Sequence, residues 1–164
     1  MIVTRRLEFD AGHRLVGHES KCKHLHGHRY VADISCGAGQ LDTVGRVVDF
    51  SVIKELVGGW IDRLWDHNMI LNPKDPLLYQ LNRLLVDDDA MEVLGGKEPF
   101  IMPEQYPNPT AENMSIVLLA VARELLLPCG IHVPYLRLYE TPNCWADCCV
   151  DRNFSELGAE LAAR

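Results

Sequence analysis

Five of the seven histidines fall between His13 and His28, a density that composition alone does not explain. In His26-Gly27-His28 the rings are two residues apart, and on a strand that spacing points both to one face, about 6–7 Å apart along it. Both can then approach one ion, and Gly27 leaves the opposite side open to backbone or ligand. Zinc takes imidazole nitrogen at about 2.0–2.1 Å, and a catalytic zinc typically uses three protein ligands, with the fourth position left for water or substrate. His13, ending a neighbouring strand, is the expected third ligand. His24 shares the strand phase and competes for a place, while His18 reads as solvated and His132 as a loop residue.

Other groups with usable chemistry lie close by in sequence or in phase. Cys22 precedes His26 by four residues and can reach either the metal or its substrate from the loop. A cation nearby favours the thiolate, which can then abstract a proton near neutral pH. Asp66-His67 pairs a carboxylate with an imidazole that it can orient or charge. Glu140 is in phase with Leu136 and Leu138 on the apolar side of its strand, where a carboxylate needs hydrogen-bond donors. An anchor for a ligand bearing paired N–H groups is the reading that follows.

These residues need strands and helices to place them. Val3, Leu7, Phe9 and Ala11 alternate with Thr4, Arg6, Glu8 and Asp10, the pattern of a half-buried strand, and His13 continues the apolar phase. A second alternation runs through His26, His28, Tyr30, Ala32, Ile34 and Cys36. From Phe50 to Leu64 the period becomes helical, with Asp49 or Ser51 as cap and Gly58-Gly59 as a weak point, and LWDHNMILN closes that helix. A second helix opens at PTAEN with Thr110 as cap and ends before Pro128. VPYLRLYET and CWADCCV form a final strand pair across the turn TPN. Residues 73–108 read as an excursion from the core with a short helical pattern, the acidic run Asp87-Asp88-Asp89 as a solvated helix end, and the tail NFSELGAELAAR as a short surface helix.

The order predicts a single α+β domain: a four-stranded antiparallel sheet with two helices packed on one face. Its open edges are a liability that oligomerisation would relieve. The chain has 164 residues, a net charge of −7 and a pI near 5.4, which speaks against a phosphate-backbone binder. No apolar run approaches bilayer length and no signal-peptide pattern opens the chain, so no membrane partner and a cytoplasmic location are expected. The six cysteines read as thiols rather than a disulfide framework. The H-x-E and P-C-x-x-C pattern of zinc nucleobase deaminases is absent.

Taken in order, FDAGHRL, CKHLHGHRY, GRVVDF, LWDHNMILN, PTAEN and LYET resemble the motifs of the 6-pyruvoyl-tetrahydropterin synthase and 6-carboxytetrahydropterin synthase family. The resemblance implies that His13, His26 and His28 bind Zn2+, that Cys22 acts with Asp66 and His67 in proton transfers, and that Glu140 anchors the pterin ring with help from Thr110 and Glu112. It further implies the tunnelling fold (T-fold), in which subunits join edge to edge into a trimeric barrel and two barrels stack into a hexamer, with active sites at subunit interfaces.

The spacing Cys-x-x-x-His-Gly-His resembles the bacterial carboxy type. That type converts 7,8-dihydroneopterin triphosphate to 6-carboxy-5,6,7,8-tetrahydropterin, releasing acetaldehyde and triphosphate, on the route to queuosine. Ala111 stands where the family often has a hydroxyl residue, and residues 73–108 exceed what compact members need. The rivals are a 6-pyruvoyl-forming or dihydroneopterin-cleaving enzyme on the same fold, and a non-catalytic metal- or pterin-binding protein.

Overall fold

Alternating apolar residues make strand β1 (Ile2–His13) and strand β2 (His26–Gly37). On β1 the buried phase is Leu7, Phe9, Ala11 and His13, and on β2 it is Tyr30, Ala32, Ile34 and Cys36. The two pair antiparallel along their whole length, which sets His13 opposite His26, Gly12 opposite Gly27 and Ala11 opposite His28. The computed structural model describes residues 1–84, 92, 96–149 and 155–164. The acidic run Asp87-Asp88-Asp89 lies outside the described residues.

The first helical segment forms in three pieces: α1 (Phe50–Ile53), a π-helical turn (Lys54–Gly58) and α2 (Gly59–Leu64). Asp49 caps it, accepting from Ser51 N. The π-turn falls where the glycine pair weakens the α-helical ladder. Downstream come β3 (Asn68–Leu71), α3 (Leu77–Leu84), β4 (Phe100–Ile101), α4 (Ala111–Leu126), β5 (His132–Thr141), β6 (Cys144–Cys149) and α5 (Ser155–Ala162). Thr110 Oγ1 caps α4 by accepting from Asn113 N, as its sequence predicts.

The sheet is mixed and six-stranded, in the order β4-β3-β1-β2-β5-β6, rather than four-stranded and antiparallel. The four expected strands are its centre and one edge. The other two come from segments with no alternation to read: β3 is one short apolar run, and β4 has two residues. The first helix therefore does not extend through LWDHNMILN. It stops at Leu64, the chain turns at His67 with φ of 51°, and Ala11–His13 take up Asn68–Ile70 as a parallel neighbour. The excursion read at 73–108 likewise returns to the sheet through β4, burying Phe100 and Met102.

The helical layer differs from expectation as well. Leu157 and Leu161 of α5 are buried, Trp60 Nε1 donates to Leu161 O at 2.8 Å, and a Cβ on Gly158 would stand 2.5 Å from Ala120 O of α4. The tail is thus a third packed helix and not a surface one; glycine lets the two backbones approach. His132 opens β5 opposite Gly37 instead of lying in a loop. None of the six cysteines is in a disulfide. Among the described residues no helix is long and apolar enough to cross a membrane.

Candidate metal centre

His13 is the last residue of β1 and lies on the helix-facing side of the sheet, where it is 1% exposed. Its Nδ1 is 2.8 Å from Pro109 O, the carbonyl just before α4. A carbonyl can only accept, so Nδ1 carries the proton and Nε2 keeps its lone pair. His26 repeats the arrangement, with Nδ1 2.8 Å from His24 O. The two freed nitrogens face each other, His13 Nε2 to His26 Nε2, at 3.1 Å. Two lone pairs at that separation with no proton between them repel, and a shared cation turns the repulsion into binding.

His28 completes the set. Ligand nitrogens of His13, His26 and His28 all lie within 4.8 Å of one another. Nitrogens held at about 2.0–2.1 Å in a tetrahedral zinc site stand about 3.3–3.4 Å apart, so the cluster needs only small ring rotations to close on an ion. Burial pushes the His13 imidazole down to about 4, which keeps the ring neutral and able to ligate at neutral pH. Burial lowers His28 too, against the opposing pull of the Glu140 carboxylate. The donor set therefore fits zinc: three convergent imidazoles, those of His13 and His26 with their outer nitrogens tied to backbone carbonyls.

Glu140 stands next to the cluster. Its Oε1 is 3.6 Å from His13 Nε2 and 3.9 Å from His28 Nε2, so the carboxylate sits beside the metal position. Tyr30, fully buried, places its hydroxyl 3.3 Å from His13 Nδ1. Burial first, then the negative charges of Glu140 and Cys22, raise the Tyr30 pKa. Cys22 is half-buried in the short turn Lys21–Lys23, and its carbonyl accepts from Leu15 N at 2.8 Å. It is thus within electrostatic reach of the phenol that touches His13.

The Asp66-His67 pair forms as expected, with His67 Nδ1 2.7 Å from Asp66 Oδ2. Asp66 Oδ1 accepts from Asp10 N, and His67 N donates to Asp10 O, so the pair is fastened to β1. These bonds hold it at the edge of β1, and a charge on His67 reaches the Asp10 carboxylate, whose side chain points away from the face of Ala11 and His13. The His67 side chain is 75% exposed. An open cavity of about 890 Å³ runs along this face past Gly12, Gly27, His67 and Lys97. It borders His26 and His28, but neither His13 nor Glu140 is among its walls.

Thr110 accepts one hydrogen bond through its hydroxyl in the α4 cap, and Glu112 is exposed on the first turn of α4. His24 lies outside β2 and supplies a carbonyl to His26 instead of a ligand nitrogen. His18 Nδ1 accepts from Ser20 N in a local turn. Tyr30 and Asn108 are neighbours of the site that the motif reading passed over. The only sequence signal for Tyr30 is its phase, which it shares with His28.

A six-stranded sheet that gathers three imidazoles where β1 ends and β2 begins defines an α+β protein with a cluster able to hold a metal ion. The family described as 6-pyruvoyl tetrahydropterin synthase matches over residues 2–149, and the chain belongs to that family. It is 41% identical over 145 residues to the 6-carboxy-5,6,7,8-tetrahydropterin synthase of Rickettsia felis, covering 88% of this chain and 96% of that one. A probable 6-carboxy-5,6,7,8-tetrahydropterin synthase of Halobacterium salinarum is 33% identical over 138 residues, 84% of this chain and 79% of that one. The fold matches the Caenorhabditis elegans 6-pyruvoyl tetrahydropterin synthase with a TM-score of 0.58 at 20% identity, over 91% of this chain and 94% of the other.

Proposed function

We propose that the chain is a zinc-dependent 6-carboxy-5,6,7,8-tetrahydropterin synthase. It acts on 7,8-dihydroneopterin triphosphate, releases acetaldehyde and triphosphate, and serves queuosine biosynthesis in the cytoplasm. The observation that carries the reading is the pair of unprotonated Nε2 atoms facing each other at 3.1 Å, with His28 alongside, in a chain this similar to enzymes of that name.

His13, His26 and His28 would hold the zinc, which when bound would supply a Lewis acid for the substrate's side-chain oxygens and so acidify the adjacent C–H groups. Cys22 takes a proton from the substrate side chain. His67, oriented through Nδ1 by Asp66, presents its other nitrogen for a second transfer. Glu140 accepts N–H donors of the bound pterin from its place beside the metal, with Thr110 and Glu112 on the neighbouring turn. In one chain the Asp66-His67 pair is held at the edge of β1 with His67 toward the Asp10 carboxylate, while His13 points to the other side of that strand. The working site therefore combines the cluster of one copy with the Asp66-His67 pair of another, in a trimer or a hexamer built from two.

Zinc-loaded protein incubated with dihydroneopterin triphosphate should yield the mass of 6-carboxytetrahydropterin. The mass of 6-pyruvoyl-tetrahydropterin would reassign the product within the family. Cys22→Ala should keep its zinc and lose turnover, and unchanged turnover would defeat the catalytic assignment.

A further inference from the structure

A metal site depends on what aims its ligands as well as on the ligands. His13 takes its aim from Pro109 O, so whatever holds Pro109 against the end of β1 also sets the ligand. The residue before it does this. Asn108 Oδ1 accepts from Val16 N at 3.0 Å while Asn108 Nδ2 donates to Val16 O at 3.0 Å. One amide matches both backbone groups of a single residue three positions beyond His13. The same Oδ1 accepts from Asn72 Nδ2 at 2.8 Å, just past the end of β3. The Asn108 carbonyl accepts from Thr110 N at 2.8 Å and from Asn113 Nδ2 at 2.9 Å, which ties it to the first turn of α4. Leu15, beside Val16, donates to the Cys22 carbonyl.

Side chain and carbonyl together join three segments: the exit of β1, the exit of β3 and the entry to α4. Pro109 keeps the Asn108 backbone out of the α region, so the residue is held extended between its partners. Only asparagine, among side chains of this length, offers an acceptor and donors side by side.

We infer that Asn108 is a positioning residue for the metal centre. By clamping Val16 to the segment that carries Pro109 O, it fixes the proton of His13 on Nδ1 and turns Nε2 toward the ion. The same clamp holds the loop bearing Cys22 in register with that ligand. The inference rests on the metal reading above and adds a residue that touches neither metal nor substrate.

The test needs no pterin. Zinc affinity is measured by competition with a chromophoric chelator, and ligand geometry is read from the visible absorption of the Co2+-substituted protein. Asn108→Ala and Asn108→Asp should each weaken zinc binding on the order of 10–100-fold and change the Co2+ bands, while circular dichroism stays that of the folded chain. Asn108→Asp keeps the shape and the acceptors but loses the Nδ2 donors, so it carries the test if the alanine variant does not fold. Trp60→Phe deletes a buried hydrogen bond remote from the site and should leave affinity and spectrum unchanged. Asn108 variants with wild-type affinity and bands overturn the inference, as does an equal loss in Trp60→Phe, which would trace the effect to general stability. A wild-type chain that binds neither ion overturns the metal reading itself and this inference with it.

Discussion

An imidazole on a strand becomes a ligand when its far nitrogen is occupied and its near one is left basic. His13 and His26 meet that condition through Pro109 O and His24 O, two carbonyls that no motif scan would select. Removing a ring should therefore cost more than removing its partner: His26→Ala should weaken zinc beyond the 10–100-fold typical of an outer-shell loss. Equal zinc content in the variant after dialysis would contradict the ligand set. Glu140 separates binding from turnover. Glu140→Gln removes a carboxylate from beside the metal position but no ligand nitrogen, so zinc should stay bound while kcat/KM falls on the order of 10–100-fold, the cost of a lost hydrogen bond to a charged group. Parallel metal analysis and steady-state kinetics on the same preparation check both halves.

At the scale of elements, the close crossing of α5 on α4 makes a sharp demand. A methyl on Gly158 would meet the backbone oxygen of Ala120, which cannot rotate away as a side chain could. Gly158→Ala should destabilise by about 1–3 kcal/mol, the usual cost of overpacking. At about 2–4 °C per kcal/mol for a domain of 150–250 residues, thermal denaturation resolves it. An unchanged melting temperature would mean that α5 does not pack as described. This contact also marks where sequence reading stops. β1, β2, α4, β5 and β6 carry their own periodicity, and the caps Asp49 and Thr110 are local, so all were legible. β3 and β4 exist because β1 offers an edge to pair with, and α5 is buried because α4 presents a matching groove; neither fact lies within the segment itself. The site divides the same way. His13, His26 and His28 declare themselves by type and spacing and the Asp66-His67 pair through its place in the family motifs, whereas the Asn108 side chain meets partners distant in the chain.

For the whole molecule, the placement of the Asp66-His67 pair decides how many chains make one site. In a single chain His67 lies within reach of the Asp10 carboxylate, and the alternation of β1 points that carboxylate away from the side on which His13 lies. The sheet meanwhile has open edges among the described residues: β1 takes β3 only along Ala11–His13, and β6 is paired on one side. Trp145 on β6 is 48% exposed, as is Ile2 on β1 at 52%. Edge-to-edge association of copies would pair these strands, and the order β1-β2-β5-β6 gives β6 of one copy the direction needed to run antiparallel to β1 of the next. Wild-type protein should accordingly sediment as a trimer or hexamer. If its Cys22 works with another copy's His67, then Cys22→Ala and His67→Ala, each inactive alone, should restore one another when co-expressed. With random mixing in a closed ring, about a quarter of the interfaces join an intact Cys22 to an intact His67, so activity should return to about a quarter of wild type. Co-expressed mixtures that assemble yet stay as inactive as the parents would place both groups in one chain, and the two sides of β1 would then have to be bridged by a rearrangement of β3.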